Sequence, residues 1–108
     1  MDVFSLKIFS PLEDFFAGDV TSLSSVNSKG PFDILPFHAD FVTLINNEAS
    51  LRGQNGSTVQ KMVVILPTGE KKEFTFNQAV VRVREGKAEV FVDFEKIEQL
   101  LPEMKIIN

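Results

Sequence analysis

The chain has no cysteine, no tryptophan and no tyrosine, and its 108 residues include a single histidine. Without cysteine there are no disulfides and no thiolate metal sites, which fits a reducing compartment. One histidine leaves neither a His-based metal cluster nor a triad with a choice of base, and the bland reading of His38 is a packed or hydrogen-bonded side chain. Basic residues are also short: the net charge is −4, which argues against nucleic acid because phosphate binding needs a basic face. No apolar run approaches the roughly 20 residues that a membrane-spanning helix requires. The N-terminal "MDVFSLKIFSPLED" interrupts its apolar residues with Asp2 and Lys7, so no signal peptide is expected. Neither GxxxxGK[ST] nor GxGxxG occurs, so the usual phosphate cradles are missing.

What is present is phenylalanine, 11 of them. Phenyl rings bring packing area without a polar handle, so a dry core is expected. Hydrophobic residues at 44 % and charged ones at 24 % describe an ordinary globular chain. A chain of this length forms one domain that buries roughly two-thirds of its unfolded surface.

Short strand signals separated by turn residues point to a sandwich or barrel. "VFSLKIFS" (3–10) alternates, with Phe4, Leu6 and Ile8 on one side. "FFAGDVTSLSS" (15–25) reads as a second extended stretch broken by Gly18, and "FDIL" (32–35) and "DFVTLI" (40–45) flank Pro36. "MVVIL" (62–66) suits a strand buried on both faces, although a helix is not excluded by periodicity, and turns through "PTGE" into "KKEFTF" (71–76). The best-determined unit is the last hairpin. A two-residue loop at Glu85-Gly86 pairs Arg84 with Lys87, Arg82 with Glu89, Val81 with Val90 and Val80 with Phe91. Val81, Val83, Ala88, Val90 and Val92 then face the core. Val80 and Phe91, on the outer face, are either covered by this chain or open to a partner. Arg82, Arg84 and Lys87 form a solvated face or, on a sharper reading, a dock for an acidic surface.

Two segments leave the strand pattern. Residues 46–61 read as a long polar loop, or a loop containing one helical turn, with Gly53, Asn55 and Gly56 as breakers, in which the sequon Asn55-Gly56-Ser57 is only a turn. In 94–108, Phe94, Ile97, Leu100, Leu101 and Met104 sit near helical spacing until Pro102 interrupts, giving a short helix folded back on the sandwich. The expected architecture is all-β: a two-sheet antiparallel β-sandwich of about 8–10 strands over 1–93, with a short helical tail at 94–108. No enzyme site assembles from these residues. Asp33 and Asp40 are the only carboxylate pair near the Pro-rich stretch, and nothing in the sequence makes them converge.

The order of features resembles the N-terminal domain of the epsilon subunit of F-type rotary ATP synthases. The resemblance rests on "FFAGDV" (15–20), "NSKG" (27–30), "FDILPFHADFVTLI" (32–45), where the family reads close to xGILPGHAPLLTAL, and the closing strands "EFTFNQAVVRV" and "KAEVFVDF". It implies a non-catalytic subunit without cofactor, metal or ATP site. Its partners would be the gamma subunit and the membrane c-ring, with membrane contact only through the complex. The location would be cytoplasmic, peripheral on the inner face of an energy-transducing membrane. Carried over residue by residue, the ring side would comprise Ser28, Lys29, Gly30, Pro31, Phe32 and His38, and the gamma side Val80, Arg82 and Phe91. A free-standing epsilon-like adaptor that binds another protein is the alternative. Three departures stand out. Asp33 and Phe37 replace glycines, as does the pair Gln78-Ala79, which implies turns of a different shape or turns that never needed positive φ. The segment 46–61 reads as inserted. The family's C-terminal helical hairpin has no counterpart beyond 94–108, so a truncated or recruited relative is expected.

Overall fold

A computed structural model describes residues 2–46 and 60–93. Most of the expected loop at 46–61, and all of the expected helix at 94–108, lie outside the described residues. Within them, nine strands run in chain order: β1 (Phe4–Phe9), β2 (Asp14–Val20), β3 (Ser22–Asn27), β4 (Gly30–Ile34), β5 (Phe41–Ile45), β6 (Gln60–Ile65), β7 (Lys71–Phe76), β8 (Ala79–Arg84) and β9 (Lys87–Val92). They form a five-stranded sheet ordered β2-β1-β9-β8-β5 and a four-stranded sheet ordered β4-β3-β6-β7. The β-sandwich expected from strand spacing is the fold found. All pairings are antiparallel except that of β1 with β9, where Ile8 lies beside Val90.

The alternation of β1 works as expected: Phe4, Leu6 and Ile8 are buried while Ser5 and Lys7 face out. The β8–β9 hairpin has the register expected, from Arg84 opposite Lys87 to Val80 opposite Phe91. Glu85 and Gly86 take φ 52° and 78°, the double left-handed turn that follows the natural twist of a hairpin. Across it, the guanidinium of Arg82 donates from Nε to a Glu89 carboxylate oxygen at 2.9 Å, and the two form an ion pair through Nη2.

Two readings of the strands need correction. The break in 15–25 falls at Thr21, not Gly18, which sits within β2 opposite Leu6. At Thr21 the chain leaves one sheet for the other, and its amide and hydroxyl both donate to the carbonyl of Ile65, at 2.8 and 3.2 Å. Strand β6 is fully buried on one face only: Met62 and Val64 are buried, Val63 and Ile65 half-buried.

Between the sheets, Leu6, Ile8, Val20, Leu23, Ile34, Ile45, Met62, Val64, Val81 and Val90 form the fully buried heart of the core. Each such side chain contributes about 1.5–3 kcal/mol on leaving water. No buried side-chain nitrogen or oxygen among the described residues lacks a hydrogen-bond partner. A second apolar group lies on the other face of the five-stranded sheet. There the rings of Phe9 and Phe91 are 5.0 Å apart, and Val80 and Phe91 are 3 % and 1 % exposed.

Candidate functional site

The stretch from Ser28 to Phe41 is built from two turns and the edge strand between them. Asn27 opens the first. Its side-chain oxygen accepts from the amide of Lys29 at 2.9 Å, and its side-chain amide donates to the Thr43 hydroxyl at 2.9 Å. One asparagine therefore shapes the Ser28-Lys29 turn and ties it across the sheets to β5. Pro31 follows on β4, an edge strand, where its missing N–H costs no ladder bond.

The second turn is Leu35-Pro36-Phe37-His38, closed by the His38 amide donating to the Leu35 carbonyl at 3.1 Å. Phe37 takes φ 69°, so the expectation that replacing the family's glycine would reshape this turn is corrected. The turn keeps its left-handed residue and a phenylalanine bears it, at a cost of about 1–2 kcal/mol relative to ordinary backbone. At Asp33, Gln78 and Ala79 no positive φ occurs, so those positions did not need glycine. Asp33 lies in β4 and its carboxylate accepts from Ser24 Oγ at 2.6 Å.

Three contacts hold the second turn in place. His38 Nδ1 donates to the Ala39 carbonyl at 2.7 Å, and its ring lies 4.9 Å from that of Phe41. Phe41 in turn meets Phe32 edge-on at 6.1 Å. The Asp40 carboxylate accepts from the Glu85 amide at 3.0 Å, binding the turn to the tip of the β8–β9 hairpin. Asp33 and Asp40 thus do not converge; each serves a separate backbone or hydroxyl partner. Removing the second tie should be measurable: Asp40→Ala is expected to lower the melting temperature by about 4 °C, equivalent to about 1 kcal/mol in a domain of this size. Faster hydrogen exchange at the Glu85 amide would mark the loss as local, and an unchanged melting curve and exchange rate would show that the contact carries nothing.

The residues expected on the ring side form a strip. Phe41 connects Phe32 to His38 and also lines an open cleft of about 460 Å³, together with Asn27, Ser28 and Lys29 from the first turn and Val42, Thr43 and Leu44 from β5. Ser28, Lys29 and Pro31 are exposed, and Gly30, Phe32 and His38 half-buried. The residues expected on the gamma side do not make an open surface. Val80 and Phe91 are covered within this chain, and Arg82 is engaged with Glu89. Arg84 and Lys87 oppose each other at the hairpin end without an ion pair among the described residues, beside a smaller cleft of about 280 Å³ shared with Arg82, Glu85 and Glu89. Asn27 and Thr43 lie in the matched segments, but the bond between them and the tie from Asp40 to the Glu85 amide are not part of the sequence reading. An asparagine two residues before a turn amide and an aspartate just ahead of a strand were the available signals. Among the described residues no group of three or more acids and histidine could hold a metal ion, and no helix is long and apolar enough to cross a membrane.

The five-stranded sheet, with its internal parallel β1–β9 pair, packs on the four-stranded sheet as a β-sandwich with a tied Pro-turn at one corner. The chain is similar to ATP synthase epsilon chains. It is 37 % identical to that of Wolinella succinogenes over 59 residues, covering 54 % of this chain and 45 % of the relative. It is 29 % identical to that of Nitratiruptor sp. over 93 residues, covering 86 % of this chain and 63 % of the relative. The Campylobacter hominis epsilon chain is 29 % identical over 110 aligned positions, covering 96 % of this chain and 84 % of the relative. This chain therefore spans less than two-thirds of the length of the first two relatives. No family model matches it. Among solved structures, a chain of the Euglena gracilis mitochondrial ATP synthase OSCP/F1/c-ring assembly superposes with a TM-score of 0.69 at 12 % identity, over 97 % of this chain and 63 % of that one. A chain of the Tetrahymena thermophila mitochondrial ATP synthase central stalk/c-ring gives 0.60 at 12 % identity, over 93 % and 71 %. At that identity the likeness is one of fold.

Proposed function

We propose that this chain is a non-catalytic central-stalk subunit of a rotary ATP synthase, which binds the gamma subunit and rests on the c-ring to couple ion translocation, of protons or sodium, to ATP synthesis. It would be peripheral, on the cytoplasmic face of the energy-transducing membrane and held there by the complex. In this reading residues 1–93 form the sandwich and 94–108 a short helical tail packed on it. The observation that carries the proposal is the strip from the Ser28-Lys29 turn through Phe41 to His38, tied at both ends to the rigid sheets. Such a surface loses little entropy on docking and suits a contact under load. Because Val80 and Phe91 are buried, the gamma contact is assigned to Arg82 and its exposed neighbours on the hairpin.

Lys29 is exposed at the end of the strip, so reversing its charge isolates binding from folding. Lys29→Glu is expected to leave the melting temperature unchanged and to weaken recovery of the purified c-ring several-fold. Undiminished recovery, with His38→Ala equally without effect, would remove the strip from the interface.

A further inference from the structure

We infer that Phe37 is an apolar anchor that enters a pocket on the protein surface this corner of the domain contacts. The inference rests on the rotor reading above and adds a residue and a chemistry to it. With Pro36 in the second position and φ 69° at Phe37 in the third, the turn has the type II form, in which glycine is the unstrained choice. The other two described non-glycine residues with positive φ are Glu85 and Asp93. Both are polar, and Asp93 uses its carboxylate to accept from the Asn77 amide at 2.8 Å. Phe37 has no such return. Its side chain is 84 % exposed, so its ring contributes little packing to offset the backbone strain. A residue that costs stability on its backbone and returns little through its side chain is accounted for by a contact outside the fold.

Neighbouring features fit a docking role. Leu35, 53 % exposed, adds a second apolar side chain on the same turn. Pro36, the His38–Phe41 ring contact and the Asp40–Glu85 bond hold the turn before any partner arrives. The amount of apolar area selects the kind of partner. No lysine or arginine lies between Gly30 and Asn46, while Asp33 and Asp40 flank the turn in a chain of net charge −4. Lys29, Arg84 and Lys87 stand close by, on the first turn and at the hairpin end that Asp40 binds, but two apolar side chains offer too little area to hold a membrane. The occupant is therefore a protein: a pocket wide enough for a phenyl ring on the face of the c-ring that this corner meets.

The test compares the full wild-type chain with Phe37→Gly and Phe37→Leu. Each is melted, sedimented alone, and titrated against c-ring purified in detergent and against vesicles of anionic phospholipid. Phe37→Gly is expected to melt about 4 °C higher as the strain is relieved, and to lose on the order of tenfold or more in ring affinity. Phe37→Leu, which keeps an apolar side chain on strained backbone, should melt like the wild type and retain most of the affinity. The inference is overturned if Phe37→Gly binds the ring as well as the wild type, or if it melts lower. It is also overturned if the property that Phe37→Gly abolishes is self-association or vesicle binding. Failure of the wild type itself to bind the ring would instead refute the rotor reading, and this inference with it.

Discussion

Val90→Asp is expected to abolish folding of the domain. Val90 is fully buried, between Val81 on β8 and Ile8 on β1. A carboxylate placed there would meet only apolar neighbours, and an unpaired buried charge costs several kcal/mol even after it is neutralised by protonation. Domains of this kind are stable by only about 5–15 kcal/mol, and the lost valine packing adds to the penalty. Circular dichroism and a one-dimensional proton spectrum would read the outcome. A folded variant with wild-type melting would mean that β9 is displaced by one residue, turning Glu89 and Phe91 inward.

Phe91→Ala is expected to destabilise the domain by about 3–5 kcal/mol, the usual cost of emptying a packed phenylalanine site. The ring is almost completely buried, lies 5.0 Å from that of Phe9, and shares its face of the sheet with Val80. Strand alternation leaves that face open to either cover or a partner, and the family resemblance implies the partner. The structure shows cover, which moves Phe91 from the interface to the fold. Denaturant unfolding should therefore give a much lower midpoint with little change in slope. An unchanged midpoint would mean that the ring is not packed and would return it to the surface.

These two residues also show how far the sequence could be read. Alternation on β8 and β9, the Glu85-Gly86 turn and the opposed charges of Arg82 and Glu89 determined register, and register determined that Val90 faces inward. Alternation assigns faces, but not what lies against the outer one, so the pattern that places Val90 leaves Phe91 open. The neighbour of β9 was equally hidden: its parallel pairing with β1 joins segments more than eighty residues apart, and no local signal encodes it. Local glycine misled at Gly18, where the chain stays in one strand; the change of sheet at Thr21 depends on the distant Ile65 carbonyl.

The candidate site divides along the same line. Ser28, Lys29 and His38 came from a motif match, whereas their union through Phe41 and the Asn27–Thr43 bond is tertiary. At Phe37 a rule about local backbone preference was overridden. Pro36 and the ties at His38 and Asp40 keep the turn in its left-handed form despite the loss of glycine. That is the pattern expected of a position under a demand other than folding.

The central claim is that this sandwich rides on the rotor of an ATP synthase. Affinity isolation of the full chain from its native cells, with quantitative identification of what accompanies it, tests this most directly. The account predicts the gamma subunit in equal amount and the c-ring retained with it under mild detergent. Recovery of the chain with a different protein in stoichiometric amount, and with neither gamma subunit nor ring, would contradict it and make the domain an adaptor.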